Sequence, residues 1–352
     1  MLLPGATIGI LGGGQLGRML AMAAARLGLR CHIYTPERDS VAAEVSAQFT
    51  CAPWHDAQAL GHFAEHCDAV TYEFENIPVA ALAPIPAEKL RPGKHALEVA
   101  QDRLNEKRFV TGLGDQPAPF HAVDSAADLA AALDRIGAPG ILKTRRDGYD
   151  GKGQWRIASP QDAQSIRLPA DTPLVYEGFV QFEAEFSVIL VRGMDGAIRF
   201  WDSAQNVHEA GILATSSLPP APIIRKQVAD ARALAARVAD ALGYVGVLAL
   251  EFFATAQGPV FNEMAPRVHN SGHWSIEGAV TSQFENHIRA VAGLPLGDTA
   301  LTAPHIIMRN LIGTQALDTP ALLADPACHL HLYGKAEARD GRKMGHTTWV
   351  GA

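Results

Sequence analysis

The sequence predicts a mixed α/β and α+β protein: a Rossmann-like parallel-sheet unit first, then a compact α+β module, then a larger unit built on strands and a long helix. Three observations predict it. Strand and helix patterns alternate over about the first ninety residues, short helices and hairpins take over across residues 124–192, and a long helix then leads into two strands that each carry a glutamate.

In order, residues 7–11 read as an apolar strand, 15–27 as a helix with Met19, Leu20 and Leu27 on one face, 31–35 as a second strand and 68–74 as a later one. A βαβ order implies parallel strands joined by right-handed crossovers. The proline-spaced residues 78–92 read as an edge or linker, and Asp102 as the N-cap of a helix opening on Arg103-Leu104-Asn105-Glu106-Lys107. A helix over 125–136 and strands at 140–143, 154–157 and 174–177 form the middle module, with a glycine-rich loop after its first strand. A helix over 225–242 precedes strands at 245–253 and 260–264, joined through Thr255-Ala256-Gln257-Gly258-Pro259.

At 352 residues, 48% of them hydrophobic, the chain is long enough for two or three domains with buried cores. Its longest apolar runs fall short of the roughly 20 residues a membrane helix needs, and Met1-Leu2-Leu3-Pro4-Gly5 has neither a basic region nor a cleavage site, so a cytoplasmic protein without a targeting signal is expected. Cys31, Cys51, Cys67 and Cys328 show no C-x-x-C spacing, which argues against a zinc knuckle or redox pair. With a formal charge of −7 and dispersed cations, no nucleic-acid partner is expected. A polyanionic ligand must be held by local cations, backbone N–H groups or a metal.

Four stretches carry candidate chemistry. Gly12-Gly13-Gly14-Gln15-Leu16-Gly17 fits G-x-G-x-x-G between a strand and a helix, where backbone N–H groups meet phosphate. The acidic residue a dinucleotide ribose needs is poorly placed, since Glu37 follows a proline, so another phosphate ligand or a plain tight turn fits better. Lys143 ends a strand and is followed by a loop containing Gly148, Gly151 and Gly153 that leads into another strand. That is not a Walker A loop but suits a flap closing over phosphates; a solvated hairpin tip is the competing account. Glu251 and Glu263 each lie six positions from Gln257, so in an antiparallel hairpin their carboxylates face each other, and Mg²⁺ is the natural bridge. A one-residue shift in register would separate them, and one salt-bridged beside one exposed glutamate is the alternative. Finally, Arg267-Val268-His269-Asn270-Ser271-Gly272-His273-Trp274 is a polar run beside those acids, in which Arg267 suits an oxyanion. The spacing of His269 and His273 lacks the helix and third ligand a zinc site requires.

The order of a strand lysine, a glycine-rich flap, a glutamate-bearing strand and paired carboxylates with an asparagine resembles the ATP-grasp superfamily. More narrowly, GILGGGQLGRM, YEFENIP, GYDGKGQ, NEMAPRVHNSGHW and GRKMGH resemble the 5-(carboxyamino)imidazole ribonucleotide synthase family. The resemblance implies a pre-ATP-grasp Rossmann-like domain at 1–97, a lid at 119–193, and an ATP-grasp domain of 98–118 and 194–352. It implies ATP contacts from Arg103, Lys143, the flap Gly148, Tyr149, Asp150, Gly151, Lys152, Gly153 and Gln154, the adenine hinge Glu177, Gly178, Phe179 and Val180, then Glu185, His208, Asn262 and Glu263. Mg²⁺ would be held by Glu251 and Glu263. Strict alternation would turn Asn262 away from Glu263, so a bulge or strand end is expected there.

For 5-aminoimidazole ribonucleotide the resemblance points to Gly14, Gln15, Leu16, Glu73, Tyr149, Asp150, Asn270, Ser271, Arg342 and Lys343, with Asp150 the general base and Lys143 and Arg267 acting on the reacting anions. Lys152 stands where members often carry Arg, which keeps the charge but weakens a bidentate contact. The chain also stops soon after Gly345-His346, where members usually continue through another helix and strand, so a missing or altered part of the last domain, or of a subunit contact, is expected. ATP, bicarbonate and the ribonucleotide are the implied partners, and a homodimer the implied assembly. A formate-using transformylase or a biotin carboxylase would share the ATP residues, leaving Asp150, VHNSGHW and GRKMGH to discriminate.

Overall fold

The computed structural model describes residues 1–148, 153–169 and 171–351. β1 (Thr7–Leu11), β2 (Arg30–Thr35), β3 (Gln48–Cys51) and β4 (Ala69–Tyr72) form the expected parallel sheet in the order β3-β2-β1-β4, with α1 (Gln15–Arg26), α2 (Ala57–Glu65) and α3 (Lys94–Ala100) around it. β3 has no counterpart among the predicted strands, because a short edge strand with no buried side chain leaves no hydrophobic pattern. The proline-spaced stretch runs along the free side of β4: the Val70 N–H donates to the Lys89 carbonyl at 2.7 Å and the Arg91 N–H to the Val70 carbonyl at 2.8 Å.

Asp102 caps α4 (Arg103–Gly112) by accepting the Leu104 and Asn105 N–H groups. β5 (Phe120–Val123), α5 (Ala126–Ile136), β6 (Gly140–Thr144), β7 (Gln154–Ile157), α6 (Pro160–Ser165) and β8 (Leu174–Gly178) follow, their strands antiparallel in the order β5-β8-β6-β7. Leu142, Leu174 and Tyr176 share a core with Leu129 and Ala132 of α5. Side-chain alternation therefore turns Ile141, Lys143 and Glu177 to the opposite face, over a deep cleft.

The far wall of that cleft is a nine-stranded sheet. Its strands are β9 (Ala184–Arg192), β10 (Ile198–Phe200), β11 (Gln205–Glu209), β12 (Ile212–Leu218), β13 (Gly246–Thr255), β14 (Gly258–Ala265), β15 (His305–Ile312), β16 (Cys328–Leu332) and β17 (Lys343–Gly351). The order is β14-β13-β9-β11-β12-β15-β17-β16, with β10 also paired to β9. Gly345 and His346 thus lie in an interior strand. On one face, α7 (Pro222–Ala241) packs Ile224, Leu234 and Val238 into the core formed by Phe186, Leu248 and Leu250. After β14 the short α8 (Ser275–Gly278) leads to α9 (Gln283–Ala292) on the other face. There Ile189, Val191, Val247 and Ala249 share a core with Ile288 and Val291 of α9 and with Leu16 and Leu20 of α1, so the parallel and large sheets are welded by one apolar layer. Among the described residues, no helix is long and apolar enough to cross a membrane.

A buried histidine pins that layer. His287 of α9 is 0% exposed; its Nδ1 accepts the Val247 N–H at 3.1 Å, and its Nε2 meets Thr71 Oγ1 at 2.8 Å. Burial holds it down to about 3, from an ordinary 6.5. A lowered folded-state value contributes stability above pH 6.5 that is lost as pH falls toward 3, at about 1.4 kcal/mol per pH unit. We expect His287→Gln to lower the thermal midpoint at pH 7.5 and to flatten its decline between pH 6.5 and 4; an unchanged slope would assign the acid sensitivity elsewhere.

Candidate functional site

The cleft holds a cavity of about 700 Å³. Lys143 and Glu177 lie on one face of adjacent strands, diagonally offset because Ile141 is the register partner of Glu177, and Lys143 Nζ donates to Glu177 Oε2 at 2.9 Å. Lys107 of α4 reaches the same oxygen at 3.3 Å. Burial alone would raise the Glu177 carboxyl, but the two lysines overcome it and hold it at about 2. The carboxylate of the expected hinge therefore faces cations, and its buried Oε1 has no hydrogen-bond partner among the described residues. Gly178, Phe179 and Val180 line the cavity beside it. Nearby, Phe182 stacks on Phe253 with centroids 4.6 Å apart. Glu185 and His208 meet at the cavity wall in a short ion pair; burial lowers the imidazole, but the Glu185 carboxylate more than offsets it and raises it.

The two acids do face each other: Glu251 and Glu263 are register partners across β13 and β14. The connecting turn lies between Thr255 and Gly258, which taken alone would set Glu251 against Asn262; a bulge beside Glu251 and Phe252 absorbs Asn262 and restores the pairing. The bulge also explains why Phe261 and Met264, three apart, enter the same core. Helix α4 holds it from outside. Arg103 Nη1 binds Glu263 Oε2 at 2.6 Å, Glu106 Oε1 accepts the Met264 N–H at 2.5 Å, and Lys107 Nζ donates to the Asn262 carbonyl at 3.2 Å. Burial opposes ionisation of Glu263, but Arg103 and then Lys143 hold it at about 2, whereas burial lifts Glu106 to about 8 despite Lys107. Glu251 pairs with His269 Nε2 at 3.0 Å.

Arg267 is gripped by both oxygens of Glu75, with Nη2 to Oε1 at 2.5 Å, and donates Nη1 to the Val268 carbonyl at 3.0 Å. Burial disfavours both charges, but their pairing outweighs it, so the Glu75 carboxyl is pulled down and the Arg267 guanidinium up. Asn270 borders the cavity, but its amide is exchanged reciprocally with that of Asn310 at 2.9 and 2.7 Å. Ser271 lines neither this cavity nor the smaller one beside it. It is 1% exposed and its hydroxyl is taken by Ser187 and His269, so the structure does not bring it to the expected ribonucleotide site.

That second cavity, of about 240 Å³, is bordered by Gly12, Gly13, Gly14, Glu73, Lys335 and Arg342, among others. Glu73 Oε1 accepts the Gly14 N–H at 2.8 Å, and a Cβ on Gly12 (φ +112°) would come within 2.6 Å of the same oxygen, so the glycine-rich loop and this acid require each other. Burial raises the Glu73 carboxyl against the pull of the Gly14 N–H and Arg267. The expected groupings are split: Gln15 and Leu16 line the large cavity while Gly14 lines the small one, and Lys343 lines the large cavity while Arg342 lines the small one. Of the flap, Gly148 and Gln154 line the large cavity and Gly153 (φ +68°) packs on Thr144. Tyr149, Asp150, Gly151 and Lys152 lie outside the described residues.

Sequence reasoning missed Glu75, Glu106, Lys107 and Asn310 as site residues. Glu75 stands inside YEFENIP and Glu106 and Lys107 inside the segment opening α4, so the motifs contained them. Their partners lie as far as 192 residues away, which no local pattern conveys. Among the described residues, no three or more His, Cys, Asp or Glu side chains converge as a metal site.

Family comparisons agree with this geometry. The ATP-grasp domain profile matches residues 108–284, the ribonucleotide synthetase preATP-grasp domain residues 5–101, and the phosphoribosylaminoimidazole carboxylase C-terminal domain residues 307–352. With the lysine-lined cleft that the first of these spans, they make the protein an ATP-grasp ligase. The N5-carboxyaminoimidazole ribonucleotide synthase of Brucella melitensis is 50% identical over 99% of this chain and 97% of its own. The crystal structure of N5-carboxyaminoimidazole ribonucleotide synthetase from Thermus thermophilus superposes with a TM-score of 0.90 at 47% identity, covering 98% of this chain and 93% of that one. That of the Aspergillus clavatus N5-carboxyaminoimidazole synthase, in complex with ADP and 5-aminoimidazole ribonucleotide, gives 0.89 at 29% identity, covering 99% and 95%. The chain belongs to the N5-carboxyaminoimidazole ribonucleotide synthase family.

Removing Lys107 leaves Glu177 with one lysine and frees the Asn262 carbonyl. We expect Lys107→Met to cost up to about 3 kcal/mol of stability, read by denaturation, and to raise the KM for ATP; an ATP KM equal to wild type would make Lys107 irrelevant to the cleft.

Proposed function

We propose that the chain uses ATP and bicarbonate to carboxylate the exocyclic amine of 5-aminoimidazole ribonucleotide, giving the N5-carboxyamino product for purine synthesis. The observation that carries this reading is a wall shared by two cavities. Gly14 and Gln15, Phe74 and Glu75, and Arg342 and Lys343 each place one member on the small cavity and the other on the large one. A group activated in the large cavity and an amine held in the small one are then neighbours.

In this reading ATP lies in the large cavity, its base on Phe179 and Val180 beside Glu177 Oε1, its ribose near Glu185 and His208, and its phosphates toward Arg103, Lys143 and the flap. The donor set of Glu251 and Glu263, two carboxylates facing one another at the open cleft, suits Mg²⁺ shared with phosphate. Bound there, the ion neutralises charge on the phosphoryl group in transfer. Arg103 and His269, which pair with these carboxylates in the structure, keep them aimed into the cleft until nucleotide arrives.

Bicarbonate is a poor electrophile. Transfer of the γ-phosphoryl group to a bicarbonate oxygen gives carboxyphosphate and ADP. The amine nitrogen then attacks the carboxyl carbon, the bond from that carbon to the phosphate oxygen breaks, and the amine proton passes to a base. Asp150 is that base by its place in the family motif. Arg267, kept charged by Glu75 and with N–H donors left over, steadies the anion. Arg342 and Lys335 supply positive charge for the ribonucleotide phosphate, and the Gly14 turn with Glu73 forms its floor. A cytoplasmic homodimer is the assembly the family implies, tested by sedimentation at assay concentration.

Coupled ADP release, with the ribonucleotide and bicarbonate omitted in turn, tests the reading: we expect turnover to require both. ATP turnover indifferent to the ribonucleotide would overturn the choice of amine. Asp150→Asn is expected to lower amine-dependent ADP release by about a hundredfold or more with little change in ATP binding; full retention would remove the base role.

A further inference from the structure

One contact on the rim of the large cavity joins the two sheet units and also carries a direction. Glu75 stands in the turn after β4, and Arg267 lies 192 residues further on, in the loop after β14. Both line the large cavity. The carboxylate takes the Nε and Nη2 edge of the guanidinium with both oxygens, a fork that fixes a plane as well as pairing a charge. Nη1 is held separately, by the Val268 carbonyl at 3.0 Å. An arginine carries five N–H groups. Three are thus engaged, and one remains on each terminal nitrogen.

Each partner is itself mounted on buried backbone. Gln101, the C-cap of α3, donates its side-chain amide to the Glu75 carbonyl at 2.9 Å and to the Ile77 carbonyl at 2.5 Å. Ile77 is 0% exposed, in the core that Tyr72 and Leu97 share. Val268 is likewise 0% exposed, in the apolar layer between the two sheets. Beyond it Gln283, also 0% exposed, accepts the His269 N–H at 2.9 Å and donates to the His269 carbonyl at 2.6 Å. The backbones on both sides are therefore fixed, and the side chains between them are fixed by each other. A tie between units requires opposite charges alone. The fork adds an orientation, and the guanidinium it orients borders the cavity that Glu251 and Glu263 also line.

We propose that Glu75 is a positioning residue of the reaction: it holds the Arg267 guanidinium in one plane, so that the N–H left on each terminal nitrogen meets the oxygens of a planar carboxyl-type anion in the large cavity. Glu73, two residues earlier, fixes the Gly14 turn of the small cavity. One short segment after β4 thus sets both the floor of the ribonucleotide's site and the grip on the anion. That the anion is bicarbonate and its carboxyphosphate rests on the carboxylation reading; the clamp itself does not.

Glu75→Gln in the full chain keeps the size and one acceptor but loses the second oxygen and the charge. It should raise the KM for bicarbonate severalfold and lower kcat about thirtyfold, with the KM for ATP within about twofold of wild type and a cooperative thermal transition retained. Glu75→Asp keeps the charge but withdraws the carboxylate by one methylene, so its kcat should fall between those of wild type and Glu75→Gln. On an Arg267→Lys background Glu75→Gln should cost little more, because both changes disable one device. Wild-type kcat and bicarbonate KM in Glu75→Gln, or an equal loss in both backgrounds, would overturn the proposal. If Glu75→Gln does not fold, Glu75→Asp decides: full activity there shows that charge without aim suffices, and overturns it as well. ¹⁵N NMR of the arginine-labelled chain, with the Arg267 Nε signal identified by its loss in Arg267→Lys, reads the clamp without turnover. The wild-type Nε–H should be protected from solvent exchange and lose that protection in Glu75→Gln. A protected signal with ATP turnover indifferent to the ribonucleotide overturns the carboxylation reading and leaves the clamp; ribonucleotide-dependent turnover with an unprotected Nε–H overturns the clamp alone.

Discussion

The bulge at Asn262 is the constraint on which the cleft depends. A regular hairpin would set Glu251 against Asn262 and leave Glu263 on the face that must bury Phe261. One additional residue lets β14 keep its apolar contacts on both sides of the irregularity while turning an acid to the cavity. Nothing in a bulge maintains itself, since its residues have left the ladder. Here three side chains at i, i+3 and i+4 of α4, Arg103, Glu106 and Lys107, take hold of the acid, the Met264 N–H and the Asn262 carbonyl. Asp102 starts that helix and also binds Arg145 at 2.7 Å, tying the same turn to the four-stranded β5-β8-β6-β7 sheet.

The cleft is otherwise a set of balanced charges. Glu177 has Lys107 and Lys143, Glu75 has Arg267, Glu263 has Arg103, and Glu185 has His208. Removing carboxylates and ammonium groups from water is costly, and each pairing offsets much of that cost in a protein whose overall charge is −7. The cations of the cleft thus already have carboxylate partners.

Much of this was legible in the sequence. The parallel sheet, the cap at Asp102 and the lysine strand follow from periodicity and polar punctuation. Counting six residues outward from Gln257 pairs the two acids correctly, although the turn is centred between Ala256 and Gln257 and the bulge makes up the difference. Motif resemblance expected that irregularity; alternation alone could not. What stayed hidden were pairings set by the assembled fold: Arg267 with Glu75, Asn270 with Asn310, and the serine chain that draws Ser271 inward. The division of Gly14-Gln15 and Arg342-Lys343 between two cavities was equally invisible, because which cavity each side borders is set only when the neighbouring sheets have come together.

That division puts the backbone of three short segments in the wall between the two cavities. A ligand that orders Gln15, Glu75 or Lys343 also restrains Gly14, Phe74 or Arg342, the residue bonded next to it on the far side of the wall. Whatever free energy of coupling results must be the same in both directions, so a nucleotide that tightens the hold on the second substrate is itself held more tightly by the same factor.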